Sequence, residues 1–117
     1  MTQRWTTLFA VVVLVAATAV VSAAQQESIE ELRAKTEQGD GETQTTLGLR
    51  YTEGRGVPQD DVQAHKWISL SVSRSNGEER DEAIELRDSI VRRLTFDQRA
   101  EAQRLAREWD EAHPAPH

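Results

Sequence analysis

The sequence predicts an all-α fold of about five helices. Two observations carry this. Apolar residues recur at i, i+3, i+4 and i+7, and helix start signals stand in front of the periodic stretches while Gly, Pro and Asn clusters separate them. A third observation is negative: no stretch alternates apolar and polar residues as a half-buried strand does.

Ser28 opens the first helix. In "SIEE" it forms a capping box with Glu31, Ile29, Leu32 and Thr36 then share a face, and Gly39-Asp40-Gly41 stops the element. The second helix is read from about Glu42 to Glu53, with Leu47 and Tyr51 on one face and Gly48 beside them. A mid-helix glycine costs about 1 kcal/mol relative to alanine, so a neighbouring helix is expected to come close at Gly48. Asp60 and Gln63 form a second capping box before a third helix, Asp61 to about Ser73, whose buried stripe is Ala64, Trp67, Ile68 and Ser71.

After the turn "RSNG", a fourth helix is read from about Glu78 to Arg93, apolar at Ala83, Leu86, Ile90, Val91 and Leu94. Its acids come early and Arg87, Arg92 and Arg93 late, which complements the helix dipole. Thr95 with Gln98 makes a third capping box, and Ala102, Leu105, Ala106 and Trp109 give the fifth helix its stripe, ending near Glu111. Residues 112–117 read as a flexible tail. The short connections point to stacked antiparallel hairpins.

The first 26 residues, "MTQRWTTLFAVVVLVAATAVVSAAQQ", have the layout of an export signal: Arg4 near the start, an apolar run from Leu8 to Val21, then Ser22-Ala23-Ala24. Residues 1–24 are expected to be a signal peptide cleaved after Ala24, which makes the protein periplasmic or secreted. An uncleaved anchor is the alternative, in which case the protein would be a membrane-tethered structural protein; the run is shorter than the roughly 20 residues a span needs. No cysteine follows it, so a lipoprotein anchor is excluded.

Without residues 1–24 the net charge moves from −6 to −7, since only Arg4 is lost. An acidic chain is repelled by nucleic acid and by anionic membrane surfaces. Cysteine is absent, so packing or self-association must supply what disulfides give many small exported domains. That packing is thin: Leu, Ile, Val and Phe number 16 of the 93 residues from Gln25 onward, partly offset by Trp67, Trp109 and Tyr51.

"YTEGRGVPQDD" joins the second and third helices. Gly54 is placed to take the left-handed conformation, Gly56 lets the chain reverse, Val57 can tuck between the helices, Pro58 stops either from running on, and Asp60 caps the next. The stretch has neither the Lys and Ser/Thr of a P-loop nor the three glycines of a dinucleotide fingerprint.

"LGLRYTEGRGVPQDDVQAHKW" resembles the Sel-one-like repeat, a solenoid relative of the tetratricopeptide repeat. Leu47, Gly48, Tyr51, Gly54, Gly56, Val57, Pro58, Asp60, Ala64 and Trp67 match its pattern, ten positions in order over 21 residues. "LRAKTEQGD" and "LTFDQRAEAQRLAREW" are similar to segments that flank the repeat in short exported bacterial members. The resemblance implies a short α-hairpin repeat domain over 25–111, with its best repeat at 43–77 and C-terminal capping helices at 78–111. Trp109 would cover the end. Thr36, Thr43, Thr45, Ser71 and Ser75 stand where the family usually places Ala or larger apolar residues, and each hydroxyl facing the core then needs a partner.

The resemblance further implies an adaptor whose concave surface, lined by the first helix of each hairpin, receives a peptide or another protein. Glu42, Arg50 and Glu53 are the polar candidates there. No catalytic residue, metal ligand set or cofactor site is expected. Asp61, His65 and Ser69 lie four residues apart and mimic an acid, base and nucleophile, which would make a small periplasmic hydrolase the competing reading. On one straight helix they are read as a solvated face, with no pocket and no oxyanion donors. His113 and His117 are two metal ligands at most, short of a three- or four-ligand site.

Overall fold

In a computed structural model, residues 27–114 form an all-α fold, with no strand among the described residues. The expected signal peptide, its cleavage point and His117 lie outside them. The helices are α1 (Ile29–Thr36), α2 (Gly41–Glu53), α3 (Asp61–Arg74), α4 (Gly77–Val91) and α5 (Phe96–Ala112). None of these helices is long and apolar enough to cross a membrane.

The capping chemistry holds in one case completely. Thr95 Oγ1 accepts from the Gln98 N–H at 3.1 Å while Gln98 Oε1 accepts from the Thr95 N–H at 2.9 Å. Ser28 accepts from the Glu31 N–H at 3.2 Å, without the return bond. Asp60 departs from the expected box: its carboxylate accepts from Val62 and Gln63 N–H, but its own N–H donates to the Tyr51 carbonyl at 3.0 Å. That bond crosses the loop, so Asp60 starts α3 and also ties it back to the end of α2. Gly54 takes φ 67°, a conformation only glycine adopts cheaply, and its N–H bonds the Arg50 carbonyl.

α3 is the centre of the fold. It packs against α2, α4 and α5, while α1 rests on α2. The stacked-hairpin expectation therefore fails at the last pair: α4 and α5 are joined by a short link, yet each leans on α3 and they barely meet each other. The reason lies in the faces α3 presents. Trp67 and Leu70 join Ile29, Leu32, Leu47 and Trp109 in one apolar cluster, and Ala64, Ile68 and Val72 join Ala83 and Ile90 in a second. With α4 drawn to one side and α5 to another, the two cannot close on each other.

Trp109 is buried as expected, but not at the C-terminal end of a stack. Its ring meets Trp67 edge-on at a centroid distance of 5.6 Å, inside the cluster that α1 and α2 share. α5 thus packs along α3 and brings Trp109 into the cluster of the first helices. α2 and α3 approach closely at Gly48: a Cβ there would stand 2.5 Å from Ile68 Cγ1 and 3.2 Å from the Ala64 carbonyl oxygen.

The hydroxyls set in the core find partners. Thr36, Thr43, Ser71 and Ser75 are buried. Thr36 donates to the Arg33 carbonyl and Thr43 to Asp40 Oδ2, both at 2.6 Å. Thr45 reaches across to Ser71 at 2.5 Å, and Ser71 lies 3.3 Å from Ser75. A polar ladder thus stands where α2 meets the end of α3. Gln44 is less well served: it is fully buried, and neither amide atom has a partner among the described residues. The Trp67 indole N–H lacks one too. Each such group costs on the order of 1–3 kcal/mol, which offsets part of what this small core gains.

Candidate functional site

The groove between α1 and α2 collects the polar residues expected to face a partner, though not all of them. Glu42 and Arg50, two turns apart on α2, line a cavity of about 510 Å³. Lys35 and Gln38 line it from α1 and the turn after it, with Asp40 from the linker to α2. Glu53 does not join them. It lies exposed at the end of α2, paired with Arg55 at 3.2 Å.

Arg50 has a structural task as well. Its Nη2 donates to the Glu27 carbonyl at 3.0 Å, holding the segment before α1 against α2. Lys35 pairs with the Glu27 carboxylate at 2.8 Å, and that hydrogen bond, with the carboxylate charge, raises its pKa. The groove thereby presents cations from Lys35 and Arg50 and carboxylates from Asp40 and Glu42. Lys35 and Asp40 were not legible as lining residues, because their place depends on how α1 lies on α2.

The expected solvated face at Asp61, His65 and Ser69 is corrected. His65 is 2% exposed. Its Nδ1 stands 3.3 Å from Ser69 Oγ, and both line a cavity of about 350 Å³. A pocket exists there because α4 and α5 diverge over α3, which one helix read alone could not reveal. Asp61 takes no part: its Oδ1 accepts from Arg93 Nη2 at 2.9 Å and from Gln59 Nε2 at 2.8 Å. The three residues do not form an acid, base and nucleophile relay.

Burial lowers the His65 pKa from 6.5, and the positive charges of Arg87 and Arg99 lower it further. The folded protein therefore holds a neutral imidazole where the unfolded chain takes up a proton. Stability from this source is complete above pH 6.5 and is lost as pH falls through that value toward the lowered folded pKa. The expected result is a decline in Tm on acidification from about pH 7.5 to 5 that is shallower in His65→Gln. Parallel curves for the two proteins would show that the imidazole is not responsible.

α5 takes in Ala112, one residue past its expected end, and His113 makes contacts of its own: its ring stacks on Trp109 at 4.0 Å, its Nε2 meets the Glu37 carboxylate, and its carbonyl accepts from Arg74 Nη2 at 2.5 Å. No group of three or more metal-ligating side chains occurs among the described residues.

The helices and their grooves define the chain as an all-α protein with five described helices. No family model, curated protein or solved structure matches it.

Proposed function

We propose that the chain is an exported helical-repeat adaptor of the Sel-one-like kind, binding a peptide or another protein in the groove between α1 and α2 and carrying out no catalysis. The observation that carries this reading is the convergence of Glu42 and Arg50 on one groove with Lys35 and Asp40. Alternating charge over a shallow surface suits a polar peptide strand, whose backbone and side chains offer both donors and acceptors. The ordered residues from Leu47 to Trp67 support the family assignment. Gly54 in the left-handed conformation, the close approach at Gly48 and the Asp60 cap give those positions physical roles of the kind such a hairpin needs.

The test is affinity capture from the envelope fraction of the source cell with the full protein, recovered with Gln25 as its amino terminus if it is exported and cleaved. A protein retrieved by the wild type and lost with Glu42→Lys is the expected result, since a reversed charge at an interface costs a factor of ten or more, about 1.4 kcal/mol. A folded protein that retrieves nothing, or a partner indifferent to Glu42→Lys, contradicts the proposed groove.

A further inference from the structure

The cavity between α4 and α5 is separate from the adaptor groove and has its own chemistry. Its floor is α3, with His65 buried and Ser69, one turn on, half-buried. One wall is α4, with Arg87 and Val91 one turn apart, and the other is α5, with Arg99 and Gln103 at the same spacing. At i, i+4, each pair shows the cavity two side chains from one face of its helix. Five of these six side chains carry polar atoms, and Val91 supplies an apolar patch.

The charges are unusual for so acidic a chain. Arg99 makes no side-chain hydrogen bond or ion pair among the described residues. Arg87 has only Asp88, its neighbour on α4, with Nε 3.8 Å from Oδ1 and so beyond hydrogen-bond distance. Two guanidinium groups from different helices thus line one cavity with the buried imidazole, Arg87 in a long ion pair with Asp88 and Arg99 exposed, with no ion pair among the described residues. Asp88 also lines the cavity, so the lining carries a net charge of about +1 when His65 is neutral.

We propose that this cavity binds the carboxylate of a small monoanion, with Arg87 and Arg99 gripping the charge, Ser69 and Gln103 hydrogen-bonding its oxygens and Val91 packing its carbon chain. Guanidinium groups match carboxylate geometry and can bond both oxygens at once. A phosphate dianion fits less well, because Asp88 repels its second charge. A free organic acid and the C-terminus of a peptide both present such a carboxylate, and the two sources share this chemistry.

Amide-detected NMR titration of the full protein tests the assignment. Butyrate is the probe, butyramide its uncharged counterpart, inorganic phosphate the dianion, and a tetrapeptide ending in valine the peptide source. Saturable butyrate shifts at His65, Ser69, Val91 and Arg99, absent with butyramide, are expected. Arg99→Gln should weaken binding about tenfold through loss of a charge-assisted hydrogen bond, and Arg80→Gln, away from the cavity on exposed α4 surface, should leave it unchanged. Tighter binding of either the peptide or butyrate supports the site and names its source. Equal shifts with butyramide, equal effects of Arg99→Gln and Arg80→Gln, or phosphate binding more tightly than butyrate would overturn it.

Discussion

Trp109→Ala is expected to destabilise the domain by about 3–5 kcal/mol, the range for truncating a buried large aromatic residue. Trp109 is 8% exposed. Its ring meets Trp67 edge-on, stacks on His113 and lies 5.0 Å from the Arg74 guanidinium. The loss reaches beyond one side chain. Arg74 Nη2 bonds Asp110 at 2.6 Å as well as the His113 carbonyl, and these contacts rely on the end of α5 lying over α1 and α3. For a domain of this size, such a change lowers Tm by more than about 10 °C. With 5–15 kcal/mol typical for a whole domain, and with Gln44 and the Trp67 indole buried unpaired, Trp109→Ala is expected to be partly unfolded at room temperature. A Tm equal to wild type would show that α5 does not hold the first three helices together.

The contact between Gly48 and Ile68 is the second place where one atom decides the fold. Ile68→Ala should cost about 2–5 kcal/mol, since the side chain is fully buried. Gly48→Ala brings a Cβ to 2.5 Å from Ile68 Cγ1. Overpacking of this kind costs about 1–3 kcal/mol, while better helix propensity returns about 1 kcal/mol. The net expectation is modest destabilisation, although the substitution adds a methyl group to a helix. The double variant should cost less than the sum of the two, because truncating Ile68 removes the clash; the difference should be about 1 kcal/mol, measurable by urea unfolding. Additive effects would place the cause of the glycine elsewhere, at the Ala64 carbonyl for example.

Both contacts were partly legible in sequence. A glycine in the middle of a helix asks for close packing, and Gly48 meets Ile68 and Ala64 as that reasoning requires. Trp109 was legible as buried from its stripe, but its partners were not, because they come from α1, α3 and the residue after α5. The polar residues at core positions show the same division. Thr36 and Ser71 were readable as hydroxyls in need of partners, whereas the bridge from Thr45 to Ser71 required α2 and α3 to be set side by side.

The candidate sites were less legible than the fold. Glu42 and Arg50 could be chosen because they share α2, but Lys35 and Asp40 enter the groove through the packing of α1. Asp61, His65 and Ser69 read locally as a solvated helix face, since nothing along one helix shows that Arg87 and Arg99 line a cavity with His65 and Ser69. The substituents of one helix face are local information; a cavity lined from three helices is not.

Capping residues and apolar spacing place the helices of the described residues to within a residue or two and identify Ser28, Asp60 and Thr95 as side-chain caps. These follow from hydrogen bonds and periodicities spanning four residues or fewer. That α3 is the centre, that Trp109 of α5 joins the apolar cluster of α1, and that α4 and α5 diverge to leave a cavity lined by arginines is settled by packing between helices. Such choices depend on which apolar faces meet across long separations in the chain, and periodicity along one helix shows that a face is apolar without naming the helix that covers it.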